Sequence, residues 1–152
     1  VRAGRSPSPD HATQRKIELK WASGTISSNS ACSLSPVGSS LNSLEKSLTI
    51  GPDVYIPDME DSVPFERKKE ARETISKFLP NMTINQNIII PRVNSIGSGI
   101  IEEDIRSVLE HKIFGISVGK IDTSDDINLI SNILDKYENK FGEIMGKNQI
   151  SI

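Results

Sequence analysis

The chain has 152 residues, 25% charged and 36% hydrophobic, with 18 Lys and Arg against 20 Asp and Glu and a net charge of −2. That is enough for one domain, but short of the about 250 residues of a closed eight-stranded α/β barrel. The near-neutral balance shows no basic stripe for nucleic acid, no apolar run approaches the roughly 20 residues of a membrane span, and the single cysteine, Cys32, excludes an internal disulfide and a cysteine-rich metal site.

Residues 1–40 are Ser-rich with little periodicity. Such a composition buries little apolar surface and reads as disordered, or as unrelated to the rest of the chain. Asp10 and Glu18 weigh against a transit peptide. His11 and His111 stand far apart in no metal or triad spacing, and His111 reads as a polar residue ending a helix. The lone cysteine fits a reducing, intracellular setting, with cytoplasm and mitochondrion both open. The first residue is Val rather than Met, which fits a processed product or a fragment.

From residue 41 the pattern is globular. Leu41, Leu44 and Leu48 share one helix face, and Gly51-Pro52 breaks that helix. Val54-Tyr55-Ile56 is a short strand that Pro57 bends or ends. It runs into three carboxylates within four positions, Asp58, Glu60 and Asp61. Ser62 and Pro64 start a helix over about 64–79, with Ala71, Ile75, Phe78 and Leu79 inward and Arg67, Lys68, Lys69 and Glu70 in water, and Pro80-Asn81 stops it. Ile88-Ile89-Ile90 has the apolar run of a buried parallel strand and leads into Pro91-Arg92-Val93-Asn94 and a glycine loop. A helix over about 101–111 puts Ile101, Ile105, Val108 and Leu109 inward. Phe114–Val118 is another strand, ending in Gly119-Lys120-Ile121-Asp122. Thr123 or Ser124 caps a last helix with a face of Ile127, Ile130, Leu134, Tyr137 and Phe141, and residues 149–152 open one more strand.

Strict alternation of this kind means a parallel sheet with right-handed crossovers, whose ligands bind at the strand carboxyl ends. Three successive strands deliver charge to that edge: the acids at 58–61, Arg92 with Asn94, and Lys120 with Asp122. Clustered carboxylates repel one another, so a metal, a cationic partner or acid/base work is the usual reason for them. Arg92 suits a carboxylate substrate through two parallel hydrogen bonds, and Lys120 suits an acid or an anion. The bland alternatives are a solvated acidic turn capping the next helix through Ser62, and ion pairs that tidy the sheet rim.

These stretches carry a resemblance. DMEDSVPFERKKEAR is similar to the DLEDSV-x-x-x-x-K-x-x-AR stretch of the citrate lyase beta subunit-like family, within the HpcH/HpaI aldolase superfamily. IIIPRVNSIGSGIIEEDI resembles its arginine strand, and FGISVGKIDTSDDI its next strand, usually ending Pro-Lys-Val-Glu. The resemblance covers about residues 41–152. It implies a partial (β/α)8 TIM barrel, about the first four β/α units. It implies making or breaking carbon–carbon bonds beside a carboxylate or thioester, often a CoA thioester, with Mg²⁺. Arg92 matches the substrate-carboxylate arginine, with Asn94 beside it. Asp58, Glu60 and Asp61 match the acids lining the metal and substrate pocket, and Lys46 aligns more loosely with a substrate-holding lysine.

Departures also show. The first strand, normally ending Val-Pro-Gly, is degraded here to Ser33-Leu34-Ser35-Pro36-Val37-Gly38. Gly119 replaces the usual proline and Asp122 the usual glutamate on the Lys120 rim. The magnesium ligands implied by the resemblance, a glutamate and an aspartate on the next two strands, lie beyond Ile152, so the isolated chain is expected to be inactive. A cut barrel exposes two sheet edges and invites self-association, so a homo-oligomer is a further expectation. Besides a carbon–carbon lyase or part of one, the chain fits a non-catalytic relic or carboxylate-binding subunit. A compact flavodoxin-like or response-regulator-like domain also fits the alternation, with the acids binding Mg²⁺ beside Lys120.

Overall fold

The computed structural model describes residues 33–82, 88–142 and 146–152. Residues 1–32, with His11 and Cys32, lie outside the described residues. The element order is β1 (Ser33–Leu34), α1 (Leu41–Ile50), β2 (Val54–Tyr55), a 3₁₀ turn (Phe65–Arg67) running into α2 (Lys68–Met82), β3 (Ile88–Ile89), β4 (Arg92–Val93), α3 (Ile101–Leu109), β5 (Gly115–Val118), α4 (Ser124–Phe141) and β6 (Gln149–Ser151).

Local chemistry sets the helix ends. Ser40 caps α1 by accepting from Ser43 N, and Gly51 closes it in the left-handed region at φ 63°. Thr123 and Asp126 form a reciprocal capping box at the start of α4. Glu102, Glu103 and Asp104 occupy the first turn of α3, where acids complement the helix dipole. The inward faces expected for α2 and α3 are the buried ones, and α4 turns Ile130, Leu134 and Tyr137 inward. They pack with Tyr55, Ile89, Val93, Ile116 and Ile150 into one core. Among the described residues no helix is long and apolar enough to cross a membrane.

All strand pairs are parallel, in the orders β1-β2-β3 and β4-β5-β6. Single bridges Val37↔Asp58 and Asp58↔Arg92 carry the pairing onward. β3 and β4 are thus two parts of one strand, and the gap between them has a definite cause. Ile90 N donates to Tyr55 O, Arg92 N to Pro57 O, and Met59 N to Arg92 O. By that alternation the donor opposite the Ile90 carbonyl would be the N–H of residue 57, which proline lacks. Pro57 interrupts the ladder without ending the strand, which continues through Asp58. Neighbouring strands keep chain order throughout, whereas a flavodoxin-like sheet reverses direction at a switch point, so that alternative is set aside.

Three expectations need correction. Ser33–Leu34 does pair with Val54–Tyr55, so residues 33–40, assigned by composition to the amino-terminal segment, build the first strand and the α1 cap. Backbone bonding to β2 replaces the side-chain burial that composition lacked. Pro80 does not stop α2, which runs to Met82. Leu79 and Met82 are buried there, and their packing outweighs one lost backbone bond in the final turn. Ser62 is not the helix cap. Instead Ser62 N donates to Asp58 Oδ2 at 3.2 Å.

Candidate active site

The acid loop at 58–63 is organised from within. Asp58 is buried, and its Oδ1 accepts from Glu60 N at 2.7 Å while Oδ2 takes the Ser62 amide. This aspartate therefore builds the turn. From the other side, Lys68 Nζ donates to Met59 O at 3.0 Å and to Glu60 O. Gly38 lies against the same loop, with its N–H on Asp58 O at 2.9 Å. A Cβ there would stand 2.5 Å from Asp58 O and 2.5 Å from Ile75 Cδ1, so only glycine fits.

The loop presents Glu60 and Asp61 to two cations from the next two strand ends. Arg92 Nη2 lies 2.7 Å from Glu60 Oε2 and 2.6 Å from Asp61 Oδ2. Lys120 Nζ lies 2.8 Å from Glu60 Oε1 and 3.5 Å from Asp61 Oδ1. The Arg92 contact to Asp61 is an aligned hydrogen bond. That to Glu60 Oε2 is Coulombic, so the buried oxygen has no hydrogen-bond partner among the described residues. Both Arg92 contacts run through Nη2, which leaves Nη1 and Nε without a protein acceptor among the described residues.

The electrostatics match the geometry. The Arg92 hydrogen bond and charge, helped by Lys120, hold Asp61 below the usual carboxylate range. The hydrogen bond and charge of Glu60, with Asp61, raise Lys120. Desolvation opposes the Arg92 charge, yet Glu60, Asp58 and Asp61 together raise its pKa. Lys120 has φ 61°, a left-handed conformation uncommon for a side chain of its size. Gly119 precedes it, and a Cβ there would be 3.2 Å from Glu60 Oε2 and 3.6 Å from Arg92 Nη2.

Among the residues singled out from sequence, Glu60, Asp61, Arg92 and Lys120 come together, with Asp58 beneath them. Asn94 does not join them. It is 2% exposed and donates through N at 3.0 Å and Nδ2 at 2.6 Å to Asp104 Oδ2. Lys46 is exposed on α1 and makes no ion pair among the described residues. Asp122 is exposed beside the α4 cap, where its N–H donates to Asp126 Oδ2. Residues with a part in the site that periodicity placed in water or passed over are Lys68, Arg72 and Asp104. For two of them the signal was present, because Lys68 and Arg72 are the lysine and arginine of the K-x-x-AR stretch.

The acids do not fit a magnesium ion as they stand. Among the described residues no three His, Cys, Asp or Glu side chains converge as metal ligands. Asp58 is committed to its turn, and Glu60 and Asp61 to cations. What the arrangement offers an anion is the Arg92 guanidinium, 32% exposed, whose partner Asp61 is 59% exposed.

Residues 36–152 match the model of the HpcH/HpaI aldolase/citrate lyase family. Human mitochondrial citramalyl-CoA lyase is 28% identical over 92 residues, which are 59% of this chain and 27% of that protein. The (3S)-malyl-CoA thioesterase of Cereibacter sphaeroides is 27% identical over 97 residues, 64% of this chain and 34% of the relative. The chain thus spans about a third or less of these relatives. Haloferax volcanii malate synthase has a similar fold, with a TM-score of 0.63 at 18% identity, over 78% of this chain and 39% of that one.

Proposed function

The chain belongs to the HpcH/HpaI aldolase/citrate lyase family, and from that premise we propose that it is the carboxylate-binding portion of a carbon–carbon lyase. In this reading it forms about the first four β/α units of a (β/α)8 barrel. The substrate is a carboxylate or CoA thioester bearing a hydroxyl two carbons from the thioester carbonyl. The bond between the carbons α and β to that carbonyl breaks. The hydroxyl loses its proton and its carbon becomes the carbonyl of a 2-oxo acid, while the released enolate takes up a proton at its α carbon. Relatives named as a citramalyl-CoA lyase and a malyl-CoA thioesterase support this substrate class.

One observation carries the reading. Arg92 stands where three successive strand ends meet, with two donors unused by protein among the described residues. Arg92 takes the substrate carboxylate as Asp61 moves toward solvent. Lys120 is placed beside it for a second anionic group or a developing negative charge. Mg²⁺ is proposed as the cofactor of the family reaction, but Asp58, Glu60 and Asp61 do not fit as its ligands.

A non-catalytic carboxylate-binding role is the second reading. It is favoured by the neutralisation of both rim acids by cations. The test pairs calorimetric titration of oxalate with a 2-oxo acid assay on a malyl-type CoA thioester. The lyase reading expects oxalate binding and turnover, both lost in Arg92→Ala. Binding without turnover supports the second reading. Oxalate binding that survives Arg92→Ala would refute both.

A further inference from the structure

We propose that Asp104 is a positioning residue for Arg92, holding the exit of the arginine strand through Asn94 with Arg72 as its counter-charge. The proposal rests on the reading that Arg92 binds the carboxylate.

Asp104 lies in the first turn of α3 and is 0% exposed. Its Oδ1 accepts from Arg72 Nε at 2.8 Å, and that arginine is 17% exposed. Its Oδ2 accepts both the main-chain and the side-chain N–H of Asn94. A buried carboxylate is costly unless both oxygens are hydrogen-bonded, and three donors meet that need here. Well-packed apolar residues often replace such buried polar groups without loss of stability. The placement of Asp104 is better explained by what it fixes.

What it fixes is the end of β4. Arg92 is bonded through N and O to Pro57 and Met59, Val93 is fully buried in register with Val118, and Asn94 is the next residue. Beyond Asn94 the chain turns away through the 3₁₀ turn Ile96–Ser98. On one edge the Arg92 backbone bonds tie the strand to the acid loop that must yield when an anion binds, on the other Arg92 and Val93 pair with β5, and past that pairing Asn94 is held by Asp104. Asp104 ties that exit residue to α3, and Arg72 extends the anchor to α2. Arg72 comes from α2, Asp104 from α3 and Asn94 from the exit of the arginine strand itself.

The test uses the full chain and oxalate as probe, with the ¹⁵Nε resonance of Arg92 and urea stability read in parallel. Asp104→Asn keeps the shape but turns an amide group toward a donor. It is expected to weaken oxalate binding about tenfold and shift the Arg92 resonance, as loss of a supporting shell does. Arg72→Lys should keep most of the affinity. A folded Asp104→Asn protein with an oxalate Kd within about twofold of the parent and an unmoved Arg92 resonance overturns the proposal, whatever its urea stability. Should Asp104→Asn not fold, Asn94→Ala keeps the main-chain bond and carries the same test with a smaller expected loss. If the parent protein does not bind oxalate, the carboxylate reading fails, and the Arg92 resonance alone decides the positioning claim.

Discussion

Glu60→Gln separates two roles that the geometry gives Glu60, because it moves stability and anion affinity in opposite directions. Glu60 is 5% exposed and lies 2.7 Å from Arg92 and 2.8 Å from Lys120. Removing one partner from a fully buried pair costs about 3–5 kcal/mol. Arg92 is 32% exposed and Lys120 66% exposed, so solvent rescues part of that, and about 1–3 kcal/mol is expected. Glu60 also repels any carboxylate approaching Arg92. An anion on that guanidinium would have its oxygens roughly 5 Å from Glu60, worth about 1.7 kcal/mol at an effective dielectric of about 40. Glu60→Gln should therefore lower urea stability while tightening oxalate binding by about tenfold. Urea denaturation and calorimetric titration on the same preparation check both. If oxalate binding weakens instead, Glu60 accepts from the ligand directly and the electrostatic reasoning fails. If stability is unchanged, Asp61 alone satisfies both cations.

The same contacts give three further expected outcomes. Gly38→Ala should cost at least about 2 kcal/mol, because its Cβ would meet the Asp58 carbonyl and Ile75 at 2.5 Å, whereas Gly51→Ala, with φ 63° and open space around it, should cost about 1 kcal/mol; equal urea midpoints would sink the contrast. Lys68→Met keeps the stem and removes two charged hydrogen bonds, so about 1–3 kcal/mol of stability and the slow amide exchange of residues 59–63 should be lost together; unchanged exchange would show that the Asp58 turn suffices. The Asp61 carboxyl is held below its ordinary value of 3.8 by Arg92, so its contribution is full above that pH and lost as the pH falls through the depressed folded value. Asp61→Asn should accordingly flatten the fall of the urea midpoint below about pH 4, and matching slopes in the two proteins would remove Asp61 from the linkage.

Much of this was legible because alternation and apolar runs fix which edge of a parallel sheet each polar exit reaches. Asp58, Glu60, Asp61, Arg92 and Lys120 were placed on one edge by that logic. What sequence could not supply was the direction of each side chain once there. Asn94 is two residues from Arg92 and reads as a rim donor, but it turns to Asp104 because a buried acid on α3 needs its hydrogen bonds. Lys68 reads as a solvated helix residue by periodicity, yet its long stem reaches back to two loop carbonyls. The first strand was hidden for a different reason. Ser33–Leu34 has no apolar alternation to detect, and its pairing rests on backbone bonds such as Ile56 N to Leu34 O and Asp58 N to Pro36 O.

Three of the prolines have a shared geometry that bears on the site. Pro36, Pro57 and Pro91 each lie two residues past the last residue of β1, β2 and β3, and each gives its carbonyl to an amide of the next strand: Asp58 N, Arg92 N and Ser117 N. A proline offers a strand an acceptor without the matching donor. At Pro57 the missing donor falls opposite Ile90 and opens the ladder between β3 and β4, just before Arg92. The arginine is then re-engaged by Met59 N from within the acid loop. The strand that carries the anion-binding residue is thus held to its neighbour by bonds from the same loop that carries its counter-ions. Any movement of Glu60 and Asp61 on anion binding must pass into the Arg92 backbone unless something else holds it. Pro57→Ala would restore the donor and join the two half-strands. The expected result is a residue 57 amide protected from exchange, with greater stability and a weaker response of the Arg92 resonance to oxalate. An unchanged oxalate response would mean that the break in the ladder has no part in binding.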